Sequence, residues 1–150
     1  MFRLLNGGHT MHVFDANLRP PDIDTPLTRH ALSMATVCKV NDHELIDVGG
    51  MLGFAATPQA LFEFAPALEW LCVTRGAGGA ELFDRSGAHY SASAPEVEII
   101  DSVGAGDAFV AGLIDSLAHR VPPGKALEHA LSTATSVLTT RGGLPSLSDG

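Results

Sequence analysis

The residues of this chain best suited to chemistry are Asp101-Ser102-Val103-Gly104-Ala105-Gly106-Asp107-Ala108-Phe109. The β-branched run Val97-Glu98-Ile99-Ile100 precedes them, and Phe109, Leu113, Ile114 and Leu117 follow at helical spacing, which predicts a strand, a glycine turn and a helix. Gly104 and Gly106 then fall at the helix N-terminus. The first N–H groups of a helix lack intrahelical partners, and with the positive end of the helix dipole they can hold a phosphate. Asp107 adds a carboxylate beside them. A cradle alone binds, whereas a cradle with a fixed carboxylate can deprotonate a hydroxyl next to a phosphoryl group, so the pattern reads as a phosphotransfer site. Two other glycine loops do not fit: a dinucleotide fingerprint needs a third glycine where Phe109 stands, and the Gly-Lys-Ser/Thr of a P-loop occurs nowhere. The same spacing also describes a plain helix start with an acid in its first turn.

The elements around this junction alternate. Met11 to Phe14 reads as a buried strand ending at Asp15, and Thr25-Pro26 opens a helix with Leu27, Ala31, Leu32 and Ala35 on one face. Thr36 to Val40 is a second strand. Asn41 caps the next helix with Glu44 three positions on, a capping-box spacing, and Gly49-Gly50 is expected to stop it. Thr57-Pro58 opens a helix carrying Leu61, Phe62, Phe64 and Ala65, followed by the strand Trp70 to Thr74. Gly76 to Gly79 is a turn, and Ala80 to Phe83 with His89 to Ala92 flank Asp84-Arg85-Ser86-Gly87 as a hairpin. After the glycine loop and its helix, Pro122-Pro123-Gly124 breaks the chain and Ala126 to Thr140 forms a last helix closed by Gly142-Gly143. Strands alternating with helices imply a mostly parallel sheet with helices on both faces, its ligands beyond the carboxyl ends of the strands. Asp15 to Arg19, Lys39 to Glu44, Thr74 to Gly79 and Ser102 to Asp107 all follow such an end.

Composition narrows the setting. A chain of 150 residues with 45% hydrophobic content is expected to form one soluble globular unit. A formal charge of −8 argues against nucleic-acid or anionic-membrane partners, which need a basic face. Cys38 and Cys72 each lie in an apolar run and read as buried thiols, which suits reduced cytoplasm. There is no apolar stretch of about 18 residues, and Met1 to Gly8 does not resemble a signal peptide.

These motifs, in this order, resemble the C-terminal half of a PfkB-type carbohydrate kinase of the ribokinase-like superfamily. The family's Asp, two variable residues, Gly-Ala-Gly-Asp, one residue and Phe stands as Asp101 to Phe109. Its Asn-x-x-Glu stands as Asn41 to Glu44, its Thr-x-Gly as Thr74 to Gly76, and the Gly-Ala end of its last helix is approximated by Gly142-Gly143. The resemblance covers about Met11 to Ser146. It implies a three-layer α/β/α ribokinase-like fold with a mostly parallel sheet, here incomplete, and residues 1–150 as the ATP-binding and catalytic portion of such a kinase domain. Asp107 would be the general base and would meet the sugar hydroxyl. The N–H groups of Gly104, Ala105 and Gly106 would stabilise the transferred γ-phosphoryl group, where positioning and electrostatics dominate. Asn41 and Glu44 would orient Mg2+ and its water on ATP, although the same two residues are also a sufficient capping box. Thr74, Gly76 and Gly79 would line the nucleotide, or form only a tight turn. Asp101, Val103, Gly142 and Ser146 correspond to positions that in several relatives hold a monovalent cation such as K+. Asp15-Ala16-Asn17-Leu18-Arg19 is similar to a fructokinase-like segment, which would send Arg19 toward the sugar; Lys39 would sit beside the phosphates.

Size is the departure, because the N-terminal half and lid of the family, with its diglycine switch and most sugar contacts, have no counterpart here. An exposed apolar edge is expected where that half would add strands. The partners expected are ATP and a small-molecule sugar, with a homodimer kept open. The leading reading is a fructokinase-like sugar kinase present as a partial domain. The alternative is a non-catalytic fragment that binds nucleotide or a protein partner; a dinucleotide-dependent oxidoreductase is disfavoured by the missing third glycine.

Overall fold

A computed structural model of the chain describes residues 2–6, 9–18 and 24–139. In chain order the elements are β1 (Phe2–Asn6), β2 (His9–Asp15), α1 (Thr25–Met34), β3 (Val37–Asn41), α2 (Asp42–Leu52), α3 (Pro58–Phe64), β4 (Trp70–Thr74), a 3-10 turn (Gly76–Gly78), β5 (Ala80–Asp84), β6 (His89–Ala92), α4 (Ala105–Ala118) and α5 (Pro123–Leu138). The strands make one six-stranded sheet in sequence order. β1 pairs antiparallel with β2, while β2, β3 and β4 run parallel through helical crossovers. β1 was absent from the sequence expectation, although Gly7-Gly8 between two short apolar runs offers a hairpin signal. The chain divides into two compact units, residues 1–75 with 81–89, and residues 76–80 with 90–150.

In the first unit, strand alternation sorts side chains onto two faces. Phe14, Cys38, Val40, Leu71 and Val73 join Leu32 of α1, Leu45, Val48 and Leu52 of α2, and Leu61 and Phe62 of α3 in one buried cluster. The opposite face is apolar at its start, with Val13 paired to Val37 and Val37 to Trp70, and becomes polar toward the strand ends. α1 begins at Thr25, as the Thr25-Pro26 pair predicts, and Asp24 caps it: its carboxylate accepts the Leu27 N–H at 2.9 Å. Leu32 and Ala35 are buried as expected, but Leu27, expected on the same face, is 62% exposed, and Thr28 is buried beside Leu32. α2 does not stop at Gly49-Gly50 but runs to Leu52 and ends at Gly53 with φ of 84°. Gly49 serves packing: a Cβ there would lie 2.8 Å from the Phe54 carbonyl oxygen.

In the second unit α4 and α5 pack together. Gly112 permits their close approach, for a Cβ there would stand 2.8 Å from Thr133 Oγ1 and 3.2 Å from the Ala130 Cα. Ser116, fully buried, bonds His129 Nδ1 across the pair at 2.8 Å. α5 begins at Pro123 rather than Ala126, as the fixed φ of proline suits the first helical position. The expected strand Val97–Ile100 does not form. Residues 93–104 carry no regular element, and the Ile100 N–H goes to the Leu138 carbonyl at 2.8 Å instead of to a ladder. A β-branched run becomes a strand only when a neighbour offers that ladder. Val97, Ile99, Ile100 and Val103 are consequently exposed, so apolar surface appears in this irregular segment and not on β6.

Candidate functional site

The parallel strands deliver four polar residues to one face of the first unit. Asp15 stands opposite Lys39 and Lys39 opposite Cys72; one pleat further, Asn41 stands opposite Thr74. Lys39 Nζ meets Asp15 Oδ1 at 3.0 Å, with side chains only 12% and 14% exposed. Sequence reasoning noted both residues but not their pairing. Both follow the same face at the carboxyl ends of neighbouring strands, which is the signal that could have revealed it. Cys72 beside Lys39 has its thiol pushed up to about 12 by burial. Cys38, on the opposite face, is raised further, again chiefly by burial. Neither is a nucleophile near neutral pH.

Asn41 and Glu44 close the capping box that their spacing predicts. Asn41 Oδ1 accepts the Glu44 N–H at 2.8 Å, and Glu44 Oε2 accepts the Asn41 N–H at 2.8 Å. Glu44 also reaches beyond the helix, its Oε1 accepting the Leu18 N–H at 3.3 Å, and it is 9% exposed. Capping is therefore satisfied, and together with the Leu18 contact it consumes one acceptor direction on each oxygen of a carboxylate that has about four. Among the described residues no group of three or more His, Cys, Asp or Glu could hold a metal ion. Asn41 and Glu44 alone are a sparse oxygen set of the kind compatible with Mg2+, which keeps most of its waters and rides on phosphates rather than in a protein cage. Thr74 Oγ1 donates to the Val40 carbonyl at 3.5 Å, and the following Arg75 forms an ion pair with Glu81.

The remaining described candidates belong to the second unit. Gly76 and Gly79 have φ of 53° and 91°, and the Gly79 N–H donates to the Gly76 carbonyl at 3.1 Å. Gly79 admits no side chain, because a Cβ would fall 2.1 Å from the Ala92 carbonyl oxygen. Gly104 is the N-cap of α4 with φ of 82°, and no side chain caps the helix. The Ala105 N–H leans toward the Ser102 carbonyl at 3.4 Å, so it is partly spent. Gly106 and Asp107 present the next first-turn N–H groups, and a Cβ on Gly106 would meet nothing within 4 Å. Uncapped N–H groups at a helix start are where an anion can bind. Asp107 lies exposed in that first turn. Asp101 Oδ1 accepts the Val103 N–H at 3.0 Å, which shapes the loop. Arg19, Gly142 and Ser146 lie outside the described residues.

A family profile described as pfkB family carbohydrate kinase matches residues 3–149. The chain belongs to the pfkB carbohydrate kinase family. A fructokinase of Salmonella typhimurium is 39% identical over 131 residues, covering 81% of this chain and 41% of that protein. The structure of aminoimidazole riboside kinase from Salmonella enterica, complexed with aminoimidazole riboside and an ATP analog, is 27% identical with a TM-score of 0.68, covering 89% of this chain and 48% of that one. An E. coli structure described as a candidate ribokinase II with ATP and Mg2+ is 25% identical with a TM-score of 0.73, covering 87% and 43%. The pfkB chain therefore has an α/β fold of the ribokinase type, built on a mixed sheet, and spans about half the length of the curated relatives it matches. No helix among its described residues is long and apolar enough to cross a membrane.

Proposed function

We propose that this pfkB chain carries the ATP-binding and catalytic portion of a sugar kinase, with a fructose-like ketose as the first substrate to test. The observation that carries the reading is the start of α4, where Gly104 adopts a left-handed backbone, no side chain caps the helix, and Asp107 stands in the first turn. In the proposed reaction the Asp107 carboxylate takes the proton of a sugar hydroxyl as its oxygen attacks the γ-phosphorus. The bond to the β-phosphate oxygen breaks, and ADP leaves. The N–H groups of Gly106 and Asp107 offer donors to the charge spreading over the phosphoryl oxygens, with Ala105 contributing less because of Ser102. Asn41 and Glu44 would hold the water shell of Mg2+, which when bound neutralises the triphosphate. Lys39, held by Asp15, adds a positive charge on the same sheet face as Asn41 and Thr74. Thr74, Gly76 and Gly79 would line the nucleotide, Arg19 the sugar. Asp101, Val103, Gly142 and Ser146 would frame a K+ site mainly through carbonyl groups.

One fact favours a second reading, a nucleotide-binding module without turnover: the chain spans about half of its relatives. A coupled ADP-release assay with fructose, ribose and ketodeoxygluconate, run beside MgATP calorimetry, separates the two. Turnover that Asp107→Asn lowers by roughly 10²–10⁴-fold, with MgATP affinity kept, is the expected result for a general base. Binding without turnover for any sugar supports the module; absence of both refutes each.

A further inference from the structure

The end of β2 is fastened to the neighbouring strand and helix by three contacts in close succession. The Asp15 carboxylate meets Lys39 Nζ at 3.0 Å, the Ala16 N–H donates to the Lys39 carbonyl at 3.1 Å, and the Leu18 N–H donates to Glu44 Oε1 at 3.3 Å. Between the two amides Asn17 has φ of 38°, and among the described residues only Arg120 shares a positive φ without being glycine. Asparagine enters this left-handed region more readily than alanine, and a β-branched residue is an outlier there. The Asn17 side chain is exposed, so what the residue contributes is the bend of the backbone. That bend divides the segment: the amide before it serves β3, and the amide after it serves α2. Its consequence falls on Glu44. The Asn41 N–H holds Oε2 at 2.8 Å, and a carboxylate held by one oxygen can still turn about that contact; the Leu18 N–H on Oε1 removes this freedom. The capping box itself does not need the third contact, since it closes through Asn41 and Glu44 alone.

From this geometry we infer that Asn17 is a positioning residue for the metal-bound nucleotide: its left-handed backbone delivers the Leu18 N–H to Glu44 and so orients the carboxylate that would hold the waters of Mg2+. This inference rests on the kinase reading above. Because the backbone acts and not the amide group, glycine serves at this position where alanine and valine do not.

The test compares the full chain with its Asn17→Gly, Asn17→Ala and Asn17→Val variants, by residue-resolved amide exchange and by calorimetry with ATP in Mg2+ and ATP in EDTA. Exchange at Leu18 should stay slow in the unaltered chain and with Gly, quicken with Ala, and be roughly tenfold faster with Val, the scale of a left-handed backbone penalty. Affinity for MgATP should fall in the same order, by about three- to tenfold with Val, the scale of one hydrogen bond to a charged group. ATP in EDTA should bind all four proteins alike. A Gly variant as weak as Val would assign the effect to the side chain and overturn the backbone role. Leu18 exchange unchanged by Val, MgATP affinity unchanged by Val, or an equal loss with and without Mg2+ would each overturn the positioning role while leaving the kinase reading intact. Failure of the unaltered chain to bind MgATP would overturn the kinase reading, and this inference with it.

Discussion

Replacing Lys39 by Met should destabilise the first unit by about 3 kcal/mol, and adding Asp15→Asn should restore roughly 2 kcal/mol of it, because removing one member of a buried pair strands the other. The ion pair is short, 3.0 Å, and both side chains are nearly buried. At an effective dielectric of about 20, two charges at that separation attract by roughly 5 kcal/mol, offset by the cost of taking both from water. Loss of one partner in such pairs costs about 3–5 kcal/mol, and residual exposure of 12% and 14% lets water soften the penalty toward the lower end. Trp70, the sole tryptophan, lies on the same sheet face, so urea unfolding followed by its fluorescence reads this unit. The double variant must be more stable than Lys39→Met alone. Strictly additive losses, with no coupling between the sites, would refute the claim that Asp15 depends on Lys39.

Three further outcomes are expected. Glu44→Ala should cost about 1–2 kcal/mol in urea unfolding through the lost capping box, and should raise the Mg2+ concentration needed for half-maximal ATP turnover if the carboxylate also serves the metal's waters. Gly79→Ala should destabilise by at least about 2 kcal/mol, since its left-handed φ and a Cβ 2.1 Å from the Ala92 carbonyl oxygen both oppose it; an unchanged thermal midpoint would disprove that packing. Cys72 has a folded pKa of about 12 against 9.0 when free, so its contribution to stability is whole below pH 9.0 and is lost as pH rises from there toward 12. Urea midpoints that fall over that range, less steeply in Cys72→Ala, would bear this out, and Ellman's reagent should find Cys72 only after unfolding.

The sequence alone determined whatever depends on a few adjacent residues. Asn41 with Glu44 and Thr57 before Pro58 each state a helix start locally, because a cap is satisfied within one turn, and Gly104 ahead of Ala105 marks one by its left-handed backbone alone. The parallel strands Val37–Asn41 and Trp70–Thr74 were legible from apolar runs for the same reason. Tertiary structure decided what depends on register and on partners. It paired Asp15 with Lys39, turned Glu44 back to the Leu18 N–H, and let α2 pass through Gly49-Gly50 because the chain at Phe54 packs onto Gly49. It denied Val97 to Ile100 a strand, since β propensity is idle until a neighbouring strand supplies hydrogen bonds, and the Leu138 carbonyl claimed that backbone first. The Gly104 to Asp107 loop is thus legible in residue types, whereas its entry is held by the Asp101 carboxylate on the Val103 N–H and by the distant Leu138 carbonyl, which only the folded chain brings to it.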